Sequence, residues 1–382
     1  MNTIERLVRD PAVRAACDSF GDGSEVVETS IAVQQIAAPT FEEGRRSAFV
    51  QERMQVLGLS DVDADALGNV YGRLPGRGGG QGLLIAAHLD TVFPATTDLS
   101  IRREGPRIYG PGLGDNSLGV AGLLHLAGSM LRHKLARAGD TWFVANVGEE
   151  GLGDLRGMRA AVDRLHDRIG AAIALEGTGQ DRVIHAAIGV RRYRIEVTAP
   201  GGHSWQDFGA PSAIHILARI AEQITRLEVP REPRTTFNIG VIEGGTSVNT
   251  IAQRAALLLD LRSVVPSHLA GLVRQVEQII DRARIAAPEA SIRLETVGDR
   301  PAGSIPTDHP LVRAATGAYE TMGISVSYGV GSTDANIPLS RDIPAVCVGV
   351  GVGENAHRLD EYIEREGIGD GMRALLLLVL SA

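Results

Sequence analysis

The chain has 382 residues, of which 44% are hydrophobic and 22% are charged, as expected for a folded globular protein rather than a disordered one. Acidic residues outnumber basic residues 46 to 38 and aromatic residues make up only 4%, which excludes the basic, aromatic surface of a nucleic-acid-binding protein. At about 150 residues per domain, we expect two domains.

The cellular compartment is suggested by the N-terminus and by the cysteines. The first twenty residues carry charges every few positions, without the apolar core of a signal peptide. The uncharged run 374–380 is too short to span a bilayer and predicts a buried terminal helix. Cys17 and Cys347 form no C-x-x-C pair, which fits a reducing compartment and excludes a thiolate zinc site. We therefore expect a cytoplasmic protein without membrane contact, in which any metal is bound by histidines and carboxylates.

Uninterrupted apolar runs in the first 188 residues predict an α/β sheet that is buried on both faces. A segment of helical length and periodicity lies between the first two runs, and a further run follows near the C-terminus. The predicted strands are 82–87, 141–147, 171–175 and 343–350, and the predicted helix is 118–135.

The pattern changes between about residues 190 and 297. Tyr193, Ile195 and Val197 alternate with polar residues, as in a strand with one solvated face. A helical segment (212–227), two strands (236–242 and 254–261), a second helix and a strand (291–297) follow. This β-α-β-β-α-β order predicts a ferredoxin-like domain, residues 189–301, inserted into a larger domain formed by residues 1–188 and 302–382.

Ionisable residues follow the apolar runs of the larger domain. Ligands of an open α/β sheet bind at the carboxyl ends of its strands, so these residues are expected to converge there. Another acidic residue lies in a glycine-rich loop before the predicted helix. The candidates are His88, Asp90, Asp115, Glu149, Glu150, Glu176 and His357.

So many carboxylates at one sheet edge repel one another unless protons or cations neutralise them. Two divalent ions remove this difficulty, and a mixture of histidines and carboxylates suits zinc, manganese or cobalt. Other motifs are incomplete: Gly110-x-Gly112 lacks the third glycine of a dinucleotide site, and there is neither a phosphate-binding Gly-Lys-Ser/Thr nor a G-x-S-x-G elbow.

Eight motifs, in chain order and spread over most of the sequence, resemble the co-catalytic zinc family that contains carboxypeptidase G, aminoacylase, peptidase T and bacterial dipeptidases. They are HLDTVFP (88–94), GPGLGDNSLG (110–119), GEEGLGDL (148–155), LEG (175–177), GGHS (201–204), TSVNTIA (246–252), GSTDAN (331–336) and NAHRLDE (355–361).

The resemblance implies a role for each candidate of the larger domain. Asp115 is implied to bridge two metals, Glu149 to be the general base, and Asp90 to orient His88 by accepting its second imidazole proton. The implied ligands of one metal are His88, Asp115 and Glu176, and those of the other are Glu150, Asp115 and His357.

The resemblance also implies that His203, Asn249 and Arg262 contact the substrate, with His203 reaching the active site of the other subunit of a homodimer. The loop with Gly331 and Ser332 is implied to line the substrate pocket. Three of these assignments have ordinary alternatives: Arg262 as a solvated charge at a strand end, Asn249 as a turn residue, and the loop as a simple Gly-Ser-Thr turn.

We therefore expect a homodimeric two-metal hydrolase of α/β fold that cleaves an amide or peptide bond in a small carboxylate-bearing substrate, such as a dipeptide or tripeptide. The alternatives are an N-acyl amino acid deacylase, a hydrolytic deaminase of another carbon–nitrogen bond, and a non-catalytic metal-binding protein. Glu149 favours an enzyme, because a protein that only binds metal does not need a second carboxylate beside Glu150.

Overall fold

The computed structural model describes residues 3–382, which form two compact units. The first unit comprises the described residues up to Ala187 together with Ser304–Ala382, and the second comprises Ile188–Gly303. The sequence pattern predicts these divisions after residues 188 and 301.

The helices of both units are numbered in chain order. They are α1 (Thr3–Leu7), α2 (Pro11–Asp18), α3 (Ser24–Gln34), α4 (Gly44–Leu57), α5 (Gly119–Arg132), α6 (Arg156–Leu165), α7 (Ala213–Thr225), α8 (Pro266–Ala286), α9 (Pro310–Thr321), α10 (Asn336–Leu339) and α11 (Ile368–Ser381).

The strands are numbered in the same way. They are β1 (Ser60–Ala64), β2 (Val70–Leu74), β3 (Gly82–His88), β4 (Arg102–Glu104), β5 (Arg107–Tyr109), β6 (Thr141–Asn146), β7 (Ile169–Thr178), β8 (Arg182–Ala187), β9 (Gly189–Thr198), β10 (Gly202–His203), β11 (Thr235–Gly244), β12 (Thr250–Ile251), β13 (Arg254–Ser263), β14 (Ser291–Arg300), β15 (Gly303–Ser304), β16 (Ser327–Gly331), β17 (Ala345–Glu354) and β18 (Tyr362–Glu364).

Four neighbouring parallel strands, in the order β6-β3-β7-β17, form the centre of the large sheet of the first unit. They correspond to the four apolar runs of the sequence, and the prediction of an α/β sheet is confirmed. Beyond β6 the sheet continues with the antiparallel strands β2 and β1. Because the central strands are parallel, their carboxyl ends meet along a single edge.

Both faces of this sheet are buried. Along β3, Leu83 and Ile85 pack into one hydrophobic core and Leu84 and Ala86 into another, because successive side chains of a strand point to opposite faces. Helices α5 and α11 contribute to the first core and α6 to the second. The unit is therefore a three-layer α/β/α structure.

The second unit has a four-stranded antiparallel sheet in the order β11-β13-β9-β14. Its order along the chain, β9-α7-β11-β13-α8-β14, confirms the predicted β-α-β-β-α-β arrangement. Tyr193, Ile195 and Val197 are buried in one core with residues of α7 and α8, so both helices cover the same face of the sheet. This accounts for the alternating pattern seen in the sequence.

The last apolar run belongs to α11, where Leu375 to Leu378 are completely buried. It is a core helix of the first unit, as predicted. Within residues 3–382, no helix has the combination of length and apolar character that crossing a bilayer requires.

Helix α4 shows how a local signal and the core together define an element. It ends at Gly58, whose φ of 87° lies in the left-handed region that glycine adopts without strain. Val50 and Met54 lie four residues apart, on the same face of the helix, and are fully buried. Val56 lies on another face and is 75% exposed.

Replacing Val50 with alanine should destabilise the first unit by about 2 kcal/mol, because two buried methyl groups are lost and a cavity remains. The measurement is urea-induced unfolding followed by circular dichroism. Val56→Ala, on the same helix, is the matched control and should change the free energy of unfolding by less than about 0.5 kcal/mol. Equal losses in the two variants would show that α4 is not packed in this orientation.

Candidate metal centre

The carboxyl ends of the four parallel strands bring together the candidate ligands of the first unit. His88 is the last residue of β3, Glu150 lies in the turn after β6, and His357 follows β17. Glu176 lies within β7 rather than after it, two residues before the end of the strand. Asp115 lies in a turn of irregular helix, Leu113–Leu118, directly before α5.

Two groups of three side chains have ligand-capable atoms that all lie within 4.8 Å of one another. In the first group, His88 Nε2 lies 3.1 Å from Asp115 Oδ1 and 3.5 Å from Glu176 Oε2. In the second group, His357 Nε2 lies 2.9 Å from Glu150 Oε1 and 3.1 Å from Asp115 Oδ2. Asp115 therefore presents one carboxylate oxygen to each group.

The charges of these groups are strongly coupled. Burial disfavours the charged form of His88, but Glu176, Asp115 and Asp90 together raise its pKa well above the usual value. Hydrogen bonds to Asp115 and Glu150 raise the pKa of His357 to about 10. Without a metal, protons on the two imidazoles would therefore supply positive charge to the centre.

The pKa values of two carboxyl groups of the centre are shifted in opposite directions. Burial raises the pKa of Glu176 to about 7, against the lowering effect of His88. Loss of solvent also acts to raise the pKa of Asp115, but hydrogen bonds to His357 and His88 hold this pKa well below the usual range. In the described part of the chain, the ion-pair partners of Asp115, Glu150 and Glu176 are these two histidines.

This donor set fits divalent metal ions. Each group offers one imidazole nitrogen and two carboxylate groups, a combination suited to zinc and also to manganese or cobalt. Two cations would replace the two imidazole protons and would offset the negative charge that the sheet edge gathers.

Asp90 lies beside His88, but the contact differs from the expected one. His88 Nδ1 is 3.0 Å from the backbone carbonyl oxygen of Asp90 and 3.6 Å from its carboxylate Oδ1. The carboxylate instead accepts the backbone N–H groups of Glu149 (3.0 Å) and Glu150 (2.9 Å) and the hydroxyl of Thr40 (2.9 Å). The ring of His88 is thus oriented mainly by the main chain, and the Asp90 side chain holds the turn that carries both glutamates.

Glu149 is 7% exposed and belongs to neither of the two groups. Its backbone is fixed by the hydrogen bond to Asp90, next to the ligand candidate Glu150. Glu149 is therefore the direct chain neighbour of a candidate ligand without being one itself.

The loop with Gly331 and Ser332 begins where β16 ends. Two residues further on, Asp334 is buried and its Oδ2 accepts a hydrogen bond of 2.8 Å from Asn146, the last residue of β6. The loop therefore reaches the sheet edge through Asp334, which the sequence analysis did not select. The available signal in the sequence was an acidic residue directly after Gly331-Ser-Thr333.

Glu361 and Arg46 were also missed. Glu361 is 1% exposed and accepts three backbone N–H groups from the loop of Asp115. The equally buried guanidinium of Arg46 donates to the carbonyl oxygen of Leu89, between His88 and Asp90. Both residues act on the main chain of ligand-bearing segments, which motif spacing does not show.

In the second unit, His203 and Asn249 lie together and are exposed. The backbone N–H of Ser204 donates to the carbonyl oxygen of Asn249, and β10 pairs with β12 beside them. Arg262 is not brought to them: it lies near the far end of β13 and pairs with Asp260 at 2.7 Å.

Comparisons with known proteins agree with this geometry. Residues 84–381 match the model of peptidase family M20/M25/M40. Succinyl-diaminopimelate desuccinylase of Corynebacterium glutamicum is 26% identical over 94% of this chain and 96% of its own length. Carboxypeptidase G2 of Pseudomonas sp. is 23% identical over 84% of this chain and 79% of its own length.

Solved structures show the same fold. Aminopeptidase PepT of Bacillus cereus has a TM-score of 0.78 at 22% identity, covering 94% of this chain and 98% of the other. The YxeP protein of Bacillus subtilis, described as a dinuclear metal-binding peptidase of the M20 family, has a TM-score of 0.69 at 14% identity and the same coverage. The chain therefore belongs to peptidase family M20/M25/M40, the resemblance inferred from the sequence is confirmed, and the protein is a metal-dependent peptidase or amidohydrolase.

Proposed function

We propose that this hydrolase cleaves the amide or peptide bond of a small substrate with a free carboxylate, a dipeptide or tripeptide being the first choice, and that it uses two divalent metal ions. The observation that carries this proposal is the position of Asp115, whose two oxygens face two separate groups of candidate ligands. A shared carboxylate is suited to joining two cations at short separation.

In this proposal Asp115 contributes to both metal sites. Zinc is the first choice, with manganese or cobalt as alternatives of the same ligand preference. The chemistry supplied by the bound ions is polarisation of the scissile carbonyl and a lowered pKa for the attacking water. One site would be formed with His88 and Glu176, and the other with Glu150 and His357.

Glu149 performs the proton transfers. Its carboxylate accepts a proton from the attacking water and then donates it to the leaving nitrogen, so the same residue serves as base and as acid. Asp90 supports this role by accepting the backbone N–H of Glu149, which limits the movement of the turn. Burial of the turn keeps bulk water away from the transferred proton.

Substrate binding is assigned to five residues. The guanidinium of Arg262 is suited to a substrate carboxylate, because its planar fork donates two parallel hydrogen bonds. His203 stabilises the oxyanion that develops on the scissile carbonyl oxygen, and Asn249 lies next to it. Gly331 and Ser332 belong to the loop that Asp334 anchors at the sheet edge.

A homodimer is supported by the second unit. Strand β11 is an outer strand of its sheet, and its Val241 and Ile242 are 46% and 61% exposed. Trp205 and Phe208 are exposed to an even greater degree. Apolar side chains on an outer strand and nearby loop are typical of a surface that another chain covers.

The positions of His203 and Arg262 support a contribution from both subunits. His203 lies beyond the Arg254 end of β13, and Arg262 lies eight residues further along this strand. At roughly 3.3 Å per residue this is about 26 Å, whereas an extended dipeptide spans only about 7 Å. This separation of the two backbone positions favours an arrangement in which one small substrate contacts His203 of one chain and Arg262 of the other.

The cytoplasm is the proposed location. Both cysteines are free, and burial raises the pKa of the Cys347 thiol well above its usual value, which disfavours the reactive thiolate form. Because neither cysteine forms a disulfide, the fold does not require an oxidising compartment.

Substrate class is tested by a screen in which zinc, manganese or cobalt is added back to chelated protein. Dipeptides, tripeptides and N-acyl amino acids are compared, because relatives named above are a carboxypeptidase and a desuccinylase. We expect hydrolysis of peptides with a free C-terminal carboxylate and loss of activity on their C-terminal amides. Hydrolysis of N-acyl amino acids alone would favour the deacylase alternative.

Glu149→Gln should lower kcat by about 10²–10⁴-fold, because proton transfer is lost. Its metal content should remain that of the parent, since Glu149 lies outside both ligand groups. Activity and metal stoichiometry are measured on the same preparation. The neighbouring variant Glu150→Gln is the contrast and should lose metal as well as activity. Near-parental turnover of metal-loaded Glu149→Gln would contradict the assigned mechanism.

Mixing His203→Ala with Arg262→Ala should restore activity that neither variant has. After random subunit exchange half of the dimers are mixed, and each mixed dimer has one site with both residues intact, giving about a quarter of the parental activity. Activity is measured at low substrate concentration, with exchange followed by differently tagged chains. If exchange is complete and activity stays at the mean of the two variants, His203 does not act across the dimer.

A further inference from the structure

The buried carboxylate of Glu361 gathers the loop that carries Asp115. Its Oε1 accepts the backbone N–H groups of Gly114 (2.7 Å) and Asp115 (2.8 Å), and its Oε2 accepts that of Gly112 (2.7 Å). Glu361 is 1% exposed. One of the three donors is thus the main chain of the residue shared by both ligand groups.

The sheet sets Glu361 and the loop in register. Strands β5 and β18 are antiparallel neighbours, with Tyr109 opposite Tyr362. Glu361 directly precedes β18 and the loop directly follows β5, so the two segments must lie side by side. The backbone N–H of Gly110 also donates to the carbonyl oxygen of Glu361, at 2.9 Å.

The loop approaches this carboxylate so closely that position 114 requires glycine. A Cβ atom there would lie 3.0 Å from Glu361 Oε1 and 2.9 Å from Thr178 Cγ2. A side chain at this position would force the loop away from Glu361. The short hydrogen bonds to Glu361 therefore depend on the absence of a Cβ atom at position 114.

The two carboxyl oxygens of Glu361 match this arrangement better than a side-chain amide does. Three N–H groups converge on two oxygens, and a carboxylate can accept all of them. The amide of glutamine would turn an NH₂ group towards at least one of these donors. In a buried site, a donor that faces another donor loses its hydrogen bond without gaining water.

We propose that Glu361 is a positioning residue of the metal centre, which holds the backbone of residues 112–115 so that one Asp115 oxygen faces each ligand group. The inference rests on the two-metal centre proposed above, and it adds a residue that belongs to neither ligand group. His357 lies four residues before Glu361, so a single segment supplies one candidate ligand and orients another.

The test compares Glu361→Gln with the parent by metal binding. Metal-free protein is titrated with Zn²⁺ in competition with a chromophoric chelator, which reports affinity and stoichiometry independently of activity. We expect the parent to bind two ions per chain and Glu361→Gln to bind both about 10–100-fold more weakly, as is typical when a group that orients a metal ligand is lost. Parental affinity at both sites in a folded Glu361→Gln protein would overturn the proposal.

Glu364→Gln is the matched control. Glu364 lies three residues further along, on β18, and its carboxylate is 3.4 Å from Arg107 rather than in contact with the loop. Its variant should bind both ions as tightly as the parent. A parent that binds fewer than two ions would contradict the two-metal centre itself, which is a different failure from that of Glu361.

Circular dichroism shows whether each variant folds. If Glu361→Gln does not fold, Glu361→Asp decides, because it keeps the charge but is shorter by one methylene and cannot reach all three donors. A folded Glu361→Asp protein should bind Zn²⁺ more weakly than the parent, and parental affinity would overturn the proposal.

A double variant distinguishes positioning through Asp115 from a general structural effect. In an Asp115→Asn background, Glu361→Gln should cause little further loss of Zn²⁺ affinity, because both changes act on the same ligand. An additional loss as large as that in the parent would show that Glu361 does not act through Asp115 and would overturn the assignment.

Discussion

The first unit gathers several negatively charged side chains at the carboxyl edge of its four parallel strands. The need to neutralise this charge is the main physical constraint on the site. Asp115, Glu150 and Glu176 face one another across two imidazoles, and the coupling is strong enough to raise the pKa of His357 to about 10. Such a cluster persists in a folded protein only when protons or cations offset it. The shared position of Asp115 makes two cations the arrangement that satisfies every carboxylate at once.

Two other buried carboxylates control the main chain around this cluster. Asp90 accepts the backbone N–H groups of the turn with Glu149 and Glu150, and Glu361 accepts those of the loop with Asp115. In both cases a buried carboxylate accepts several backbone N–H groups and so restrains the segment that donates them.

The second unit supplies the surface proposed for dimerisation and several of the residues proposed to bind substrate. Its sheet buries one face under α7 and α8, while the outer strand β11 keeps exposed apolar residues. His203 lies beyond one end of β13, and Arg262 lies near the other end of the same strand. The homodimer proposed here explains the exposed strand and the separation of the two residues together.

The sequence by itself determined the central strands, the β-α-β-β-α-β order and the residues gathered at the sheet edge. These features follow from local patterns, since continuous apolar runs identify buried parallel strands and the residue after each run lies at the edge. The short strands β4 and β5 and the helices α1 to α4 were not identified, because none of them contains an uninterrupted apolar run as long as those of the central strands. Only the tertiary structure decided which atoms meet: that His88 turns to the carbonyl of Asp90, that Glu176 lies inside β7, and that Glu361 contacts Gly112 from 249 residues away in the chain. Such contacts depend on the packing of distant segments, which residue spacing along the chain does not encode.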